Sequence, residues 1–436
     1  MPGQDTIALH EALKTVYEDG RPIELIHSTA PLAEKFKALD ARKWGGAEVV
    51  KAKKITRTQG VGAAAEMGAI AQAGRVKYAK RTIPMRYVYG RVQFSAQVMK
   101  ASQGERYSYV DAAASEMDDM LNALKMEVGR MAWGDGRGIL ALVNDTTPSG
   151  SATVSIDSPG GFAGATNGGR FLNEGMSVCF INPATGAVRS TTTARTVSSV
   201  AADGTTATFT AAPGSDVADN DYIVRANVST VADAIDSAYQ KEPMGLAGHV
   251  DDGTYVATYF GLNRTTVPLE ASTVISNAGA WSSDVMQRLI DVVAQVGGSG
   301  IDELWMHQSG RRAYVASMND DRRYMGADLL NPDGGTRAAA GKPLAFGTVP
   351  IKEDRIAPYG IVWALSDDAD FARYDLDKGS WINEDGNVLK ILGTGASLQD
   401  AFEAVYRFWF NYVADKSITC GRLDGLDAQV AVAHIY

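Results

Sequence analysis

Apolar positions along the chain change period several times, and each change marks an element. Between Tyr107 and Trp133, the residues Val110, Ala114, Met117, Leu121, Leu124, Val128 and Met131 recur at spacings of 4, 3, 4, 3, 4 and 3. That is one narrow seam on a helix of roughly 27 residues, ~40 Å long at 1.5 Å per residue. Gly134, Gly136 and Gly138 in WGDGRG stop it. Glu116, Asp118, Asp119 and Lys125 fall off the seam and read as solvated.

Upstream the period shortens to two. AEVVKAKKITRT and RVKYAKRTIPMRYVYGRVQFS both read as strands; the second carries Ile83, Met85, Tyr87 and Tyr89 on one parity, with Lys80, Arg81 and Arg86 interleaved. Between them lies GVGAAAEMGAIAQAG, Gly and Ala with one charge. Two such arms around a flexible tip make a hairpin over 47–95, reaching ~40 Å at about 3.3 Å per residue. A two-stranded ribbon is marginal in water, and its edges invite aggregation unless a neighbour covers them. The expectation is that sister molecules supply the cover. The bland alternative folds the ribbon onto the chain's own sheet.

Ahead of the hairpin, residues 1–46 read as an arm. ALHEALKTVYE is a short helical pattern, Pro22 and Pro31 flank a short apolar run, and AEKFKALDARKW is a weaker helical turn ending at Gly45-Gly46. So few apolar residues close no core of their own.

Residues 149–228 change character, with 30 Gly, Ser or Thr among 80 residues and no lysine anywhere from 126 to 240. MSVCFI, TARTVSSV, TTATFT and DYIVRA are short strands separated by turn signals, which argues a small all-β barrel or sandwich inserted into a larger domain. From 229 the pattern is mixed. SSDVMQRLIDVVAQVGG is an amphipathic helix capped by Ser282 or Ser283 and ended by Gly297-Gly298. IDELWMH follows as a strand, SGRRAYVASM as a helix and 319–344 as a loop. GIVWAL, DFARYDL and FEAVYRFWFNYV are further strands. In the last, Phe402, Ala404, Tyr406, Phe408, Phe410 and Tyr412 share one face.

Composition narrows the class. At 436 residues the prior is about three domains at roughly 150 residues each. Hydrophobic residues are 45% and charged residues 21%, which excludes disorder. Two cysteines make neither a disulfide scaffold nor a four-thiolate zinc site. The first residues lack the apolar core of a secretory signal, and no run approaches the ~18–20 apolar residues that span a bilayer. The expected protein is soluble, made in a reducing compartment and free of membrane contact.

The net charge of −9 hides an asymmetry: residues 34–91 hold 14 Lys/Arg against 4 Asp/Glu, +10, so the remainder carries −19. A basic ribbon beside an acidic body suits another copy's acidic face better than nucleic acid. Lys51, Lys53, Lys54, Arg57, Arg75, Lys77, Lys80 and Arg81 are the candidate interface residues.

Motifs for chemistry fail one by one. GDGRG closes a helix rather than opening one, and Ile139 stands where a dinucleotide fingerprint needs Gly. GTRAAAGKP is one residue too long for a phosphate loop, and Pro343 replaces the magnesium-binding hydroxyl. The five histidines are scattered. Asp367, Asp368, Asp370, Asp375 and Asp377 lack calcium-loop order and read as a solvated face or an anchor for a neighbour's lysines. No catalytic, cofactor-binding or metal residues are expected.

The order of parts resembles the tailed-bacteriophage major capsid protein with the Hong Kong 97-like fold. The patches that carry it are VDAAASEMDDMLNALKMEVGRMAWGDGRG, the GLNRTTVP turn, IDELWMHQSGRRAYVASM and AFEAVYRFWFNYVADKSITCGRL. The resemblance implies an α+β capsid fold: N-terminal arm 1–46, extended β-hairpin loop 47–95 over an adjacent subunit, and peripheral domain 96–148 with its spine helix. An inserted small all-β module 149–228, an axial α/β domain 229–345 and C-terminal strands 346–436 shared by both domains complete it. It further implies a structural protein and not an enzyme, self-assembled into hexamers and pentamers of a virion head built in the host cytoplasm. A portal, a separate scaffold protein and only weak, non-specific contact with packaged DNA are the implied partners. An encapsulin-like bacterial nanocompartment shell protein, an enzyme with a β-rich accessory domain and a tail or baseplate protein are the rival readings.

Overall fold

The structure is a computed structural model that describes residues 31–39, 48–96, 106–145, 150–189, 193–321, 344–383, 386–391 and 400–426. The helix read at ALHEALKTVYE and almost all of the loop read at 319–344 lie outside the described residues. The architecture is α+β, with many strands and few helices. The chain forms two compact units, the first from Met1–Gly45, Met85–Ala132 and Ala372–Tyr412, the second from Gly46–Pro84, Trp133–Phe371 and Val413–Tyr436.

The first unit is built on a five-stranded sheet. Lys37–Leu39, Phe371–Trp381, Ala401–Ala414 and Lys390–Ile391 lie in that order, and Arg86–Ser95 also pairs with Ala401–Ala414. That last pairing is antiparallel over ten residues, from Ala401 opposite Ser95 to Phe410 opposite Arg86. It corrects the reading of 47–95 as one hairpin: Arg86–Ser95 leaves the ribbon for this sheet. Pro84, which has no N–H to donate, ends the ribbon's ladder. A second correction concerns AEKFKALDARKW, of which the residues up to Leu39 are described: the helix there is Pro31–Lys35 and Lys37–Leu39 is a strand. Lys37–Leu39 then runs parallel to Phe371–Trp381, because a ready sheet edge outweighs weak helix propensity.

The long helix spans Arg106–Trp133. Its seam is inward where described: Met117, Leu121, Leu124 and Val128 are buried and Met131 is half-buried. The side chains of Val110 and Ala114 lie outside the described residues. Met117 packs with Leu389 and Ala404, flanked by Phe94, Trp381 and Phe402. Gly90 lets the helix sit close to the strand, since a Cβ there would push the Met120 side chain aside. Asp118 and Asp119 are exposed, whereas Lys125 is buried, its ammonium donating to Asn122 Oδ1 at 2.8 Å. Its aliphatic stem makes that burial tolerable. Ala401–Ala414 alternates only to about Trp409; from Phe410 to Ala414, Asn411 included, both faces are buried.

The second unit holds a closed six-stranded barrel, a six-stranded sheet and the hairpin. The barrel runs Tyr222–Arg225, Ile139–Val143, Thr153–Asp157, Thr206–Phe209, Arg195–Val200 and Ser177–Ile181, closing back on the first. Sequence patterning found four of these strands. The module therefore begins at Ile139, ten residues before the expected start. ILALV escaped notice because it is a continuous apolar run, almost wholly buried, with no alternation to read.

The sheet is ordered Thr273–Ile275, Gly421–Leu423, Val362–Leu365, Glu303–Met306, Val349–Glu353 and Ala345–Phe346. Helix Ser283–Gly297 lays Met286, Leu289 and Val293 over Leu304, Val362, Ala364 and Leu423. Ser282 is its cap, accepting from the Asp284 and Val285 amides at 3.2 and 3.4 Å, and Gly298 ends it at φ 68°.

Candidate assembly interface

The hairpin pairs Glu48–Lys54 with Tyr78–Pro84 in seven antiparallel steps, Glu48 opposite Pro84 and Lys54 opposite Tyr78. Beyond the ladder the arms stay together. Ile55 N–H donates to Lys77 O at 2.8 Å, Lys77 N–H to Thr56 Oγ1 at 2.9 Å, and Thr58 Oγ1–H to Gly74 O at 3.0 Å. A Cβ on Gly74 would lie 2.5 Å from Gln59 N, so the two backbones approach as closely as only glycine allows. The tip turns at Ala65–Gly68, with Met67 at φ 61°.

Burial divides this ribbon into a root and an outer part. Every residue from 56 to 70 is exposed, and Val61, Met67 and Ile70 are 86%, 102% and 85% exposed. Lys54, Arg57, Arg75, Lys77 and Lys80 are exposed as well. The other three candidate cations have partners in their own chain. Lys51 Nζ lies 2.7 Å from Asp415 Oδ2, and Lys53 Nζ lies 3.4 Å from Glu270 Oε1 and donates to Asp415 O. Arg81 is completely buried, 3.5 Å from Asp415 Oδ1, and donates to Ala414 O at 2.7 Å. Its guanidinium carbon sits 4.5 Å from the Tyr259 ring centroid and 5.2 Å from that of Phe260. Burial lowers the Lys53 pKa, opposed by Glu270.

Behind this root lies a charged hub that patterning missed. Asp251 is fully buried and receives Arg264 Nη1 at 2.9 Å and Arg422 Nη1 at 3.0 Å. Arg264 also donates to the carbonyls of Glu270, Val256 and Gly248 at 3.0, 2.9 and 2.7 Å. Arg422 reaches Asp424 Oδ2 at 2.8 Å. His249 Nδ1 is 2.6 Å from Tyr259 Oη, and burial plus the nearby Arg81 and Arg264 hold its pKa well below the ordinary value. The GLNRTTVP turn carried the sole hint, an arginine in a run with few other charges.

In the first unit, two aromatic side chains of the sheet stand partly in solvent. Tyr87 and Tyr89 are 47% and 52% exposed, and both meet Trp409 edge-on at 5.2 and 6.4 Å. The acidic cluster read at 367–377 is not one surface. Asp375 is buried against Arg373 at 2.6 Å, and Asp377 pairs with Arg407 at 2.6 Å, so two of its five carboxylates hold arginines of this chain rather than a neighbour's lysines. Cys179 and Cys420 are both buried. Among the described residues no group of three His, Cys, Asp or Glu is placed to hold a metal ion, and no helix is long and apolar enough to cross a membrane.

No family model and no curated protein matches the chain. Among solved structures it is similar to the capsid asymmetric unit of cyanophage A-1(L), at 10% identity and a TM-score of 0.46, covering 91% of this chain and 92% of that one. It is similar to the capsid of Myoviridae phage XM1 at 9% identity and TM-score 0.43, with 91% and 92% covered. The capsid of the native GTA particle is matched at 11% identity and TM-score 0.41, with 91% and 89% covered.

Proposed function

We propose that this chain is the major capsid protein of a tailed phage with the Hong Kong 97-like fold, a structural protein whose copies close into pentamers and hexamers of a head enclosing double-stranded DNA. The observation that carries the reading is the ribbon. Its root is fixed in its own chain, while from Thr56 to Ile70 it is exposed, with an apolar tip and basic flanks. A lone subunit gains nothing from holding Val61, Met67 and Ile70 in water; a ring of subunits buries them. Heterologous contacts of this kind close into rings, and small changes of the same contact close a shell.

In this reading residues 48–84 are the extended loop, the first unit is the peripheral domain and the sheet of the second unit is the axial domain. A portal and a scaffold protein assist assembly. The acidic remainder of the chain repels DNA, which leaves packaged genome free of strong phosphate contacts.

The test is to express the chain alone and with candidate scaffolds, and to examine it by negative-stain electron microscopy beside a variant lacking residues 59–74. Closed, uniform particles from the full chain and soluble, folded, unassembled protein from the variant are expected. Tubes or open rings point to a tail or baseplate protein, and an enzyme caged inside the shells points to a nanocompartment. A full chain that stays monomeric at every concentration overturns the proposal.

A further inference from the structure

We propose that Arg81 and Asp415 form a lock that fixes the direction in which the hairpin leaves its unit, which makes both of them positioning residues for assembly; the assembly role rests on the shell-forming reading above. The register contains an anomaly. Lys51 stands directly opposite Arg81 in the ladder, and like charges directly opposite destabilise a strand pair. The pair is tolerated because both cations converge on one carboxylate, Lys51 at 2.7 Å and Arg81 at 3.5 Å from Asp415.

Other contacts of the root lie on this rung and within two rungs of it. Thr82 N–H donates to Phe260 O at 3.0 Å, Arg81 donates to Ala414 O, its guanidinium lies against Tyr259 and Phe260, and Lys53 reaches Glu270. From Ile55 outward the bonds run between the two arms. The direction of a ribbon that reaches tens of ångströms is thus set at its root, where a small rotation becomes a large displacement of the tip. Asp415 is the neutralising element: with Asn in its place, two cations face each other beneath a ladder that is marginal by itself.

The experiment measures direction rather than stability. Spin labels at Lys54→Cys and Ser215→Cys, both at exposed positions of the second unit, report the hairpin-to-barrel distance in the unassembled full chain. The native cysteines are buried and spared from labelling. The background protein is expected to give one narrow distance distribution. Asp415→Asn and Arg81→Met should broaden it at least about twofold with the melting transition retained, while Asp415→Glu should restore the narrow distribution. Unlabelled Asp415→Asn should form few or no closed particles, and Asp415→Glu should form them.

A narrow distribution in Asp415→Asn, or a broad one in the background protein, overturns the lock. Arg81 is fully buried, so its variant is the one at risk of not folding; Asp415 is partly exposed, and its two variants decide the matter alone. Broadening in a protein that never assembles would uphold the lock and defeat the capsid reading, so the two failures are distinguishable.

Discussion

Arg264 ties several segments of the second unit together near the hairpin root. One guanidinium pairs with Asp251 and donates to four carbonyls, so its removal strips a buried carboxylate of one of its two arginines and leaves several acceptors without their donor. Breaking a buried pair from one side costs about 3–5 kcal/mol. Arg264→Met is therefore expected to lower the unfolding free energy by that amount, read from urea midpoints at constant m-value.

A second prediction concerns His307, whose pKa is pushed down to about 3 by burial, with Arg170 and Arg312 adding to the effect. Its Nδ1 accepts from the Ser309 amide at 3.1 Å, which requires that nitrogen unprotonated. Below pH 6.5 the unfolded chain takes up a proton that the folded chain refuses, so stability falls as pH falls from 6.5 towards 3. The slope is about 1.4 kcal/mol per pH unit for each such histidine. His249, lowered in the same direction, adds to it. His307→Gln should remove roughly half of the loss between pH 6.5 and 5; an unchanged slope would show that this imidazole titrates normally.

The hairpin as an element has two kinds of cation. Lys51, Lys53 and Arg81 act inside the chain, and Lys54, Arg57, Arg75, Lys77 and Lys80 face outward. Exposed charges sum into a steering field that salt screens over about 10 Å at 0.1 M. Reversing Lys54, Arg57 and Lys77 to Glu is expected to raise the concentration needed for assembly by roughly tenfold at low salt, equivalent to about 1.4 kcal/mol. The gap should narrow near 0.5 M salt. Light scattering across a salt series measures it, and an effect independent of salt would remove the electrostatic role. The Gly74→Ala variant probes the other feature of this element, the close approach of the arms. A methyl 2.5 Å from Gln59 N must part them, so amide exchange at Ile55 and Lys77 should quicken while the melting temperature holds.

Across the whole molecule, the elements legible in the sequence were those with one clear period. The long helix, the capped helix at Ser283–Gly297 and the strand Ala401–Ala414 up to Trp409 show their alternation because one face is more accessible than the other. Ile139–Val143, buried on both sides, carries no alternation and is not legible as a strand, whereas Val362–Leu365, equally buried, is legible only as an apolar run. The arm segment Lys37–Leu39 became a strand through its partner Phe371–Trp381, more than 300 residues away, which no local pattern encodes. The same holds for the candidate interface. Its cations were visible as residue types, but which of them point outward depended on Asp415 and Glu270, distant in the chain and near in space.

Local chemistry alone determined that there would be a basic ribbon, a long seam helix, a glycine stop and an all-β module rich in Gly, Ser and Thr, because period, capping and turn residues act over a few positions. Tertiary structure decided where the ribbon ends, which strand closes the barrel and which charges cancel. Those outcomes depend on contacts between residues far apart in the chain, whose energies exist only after the backbone has brought them within a few ångströms.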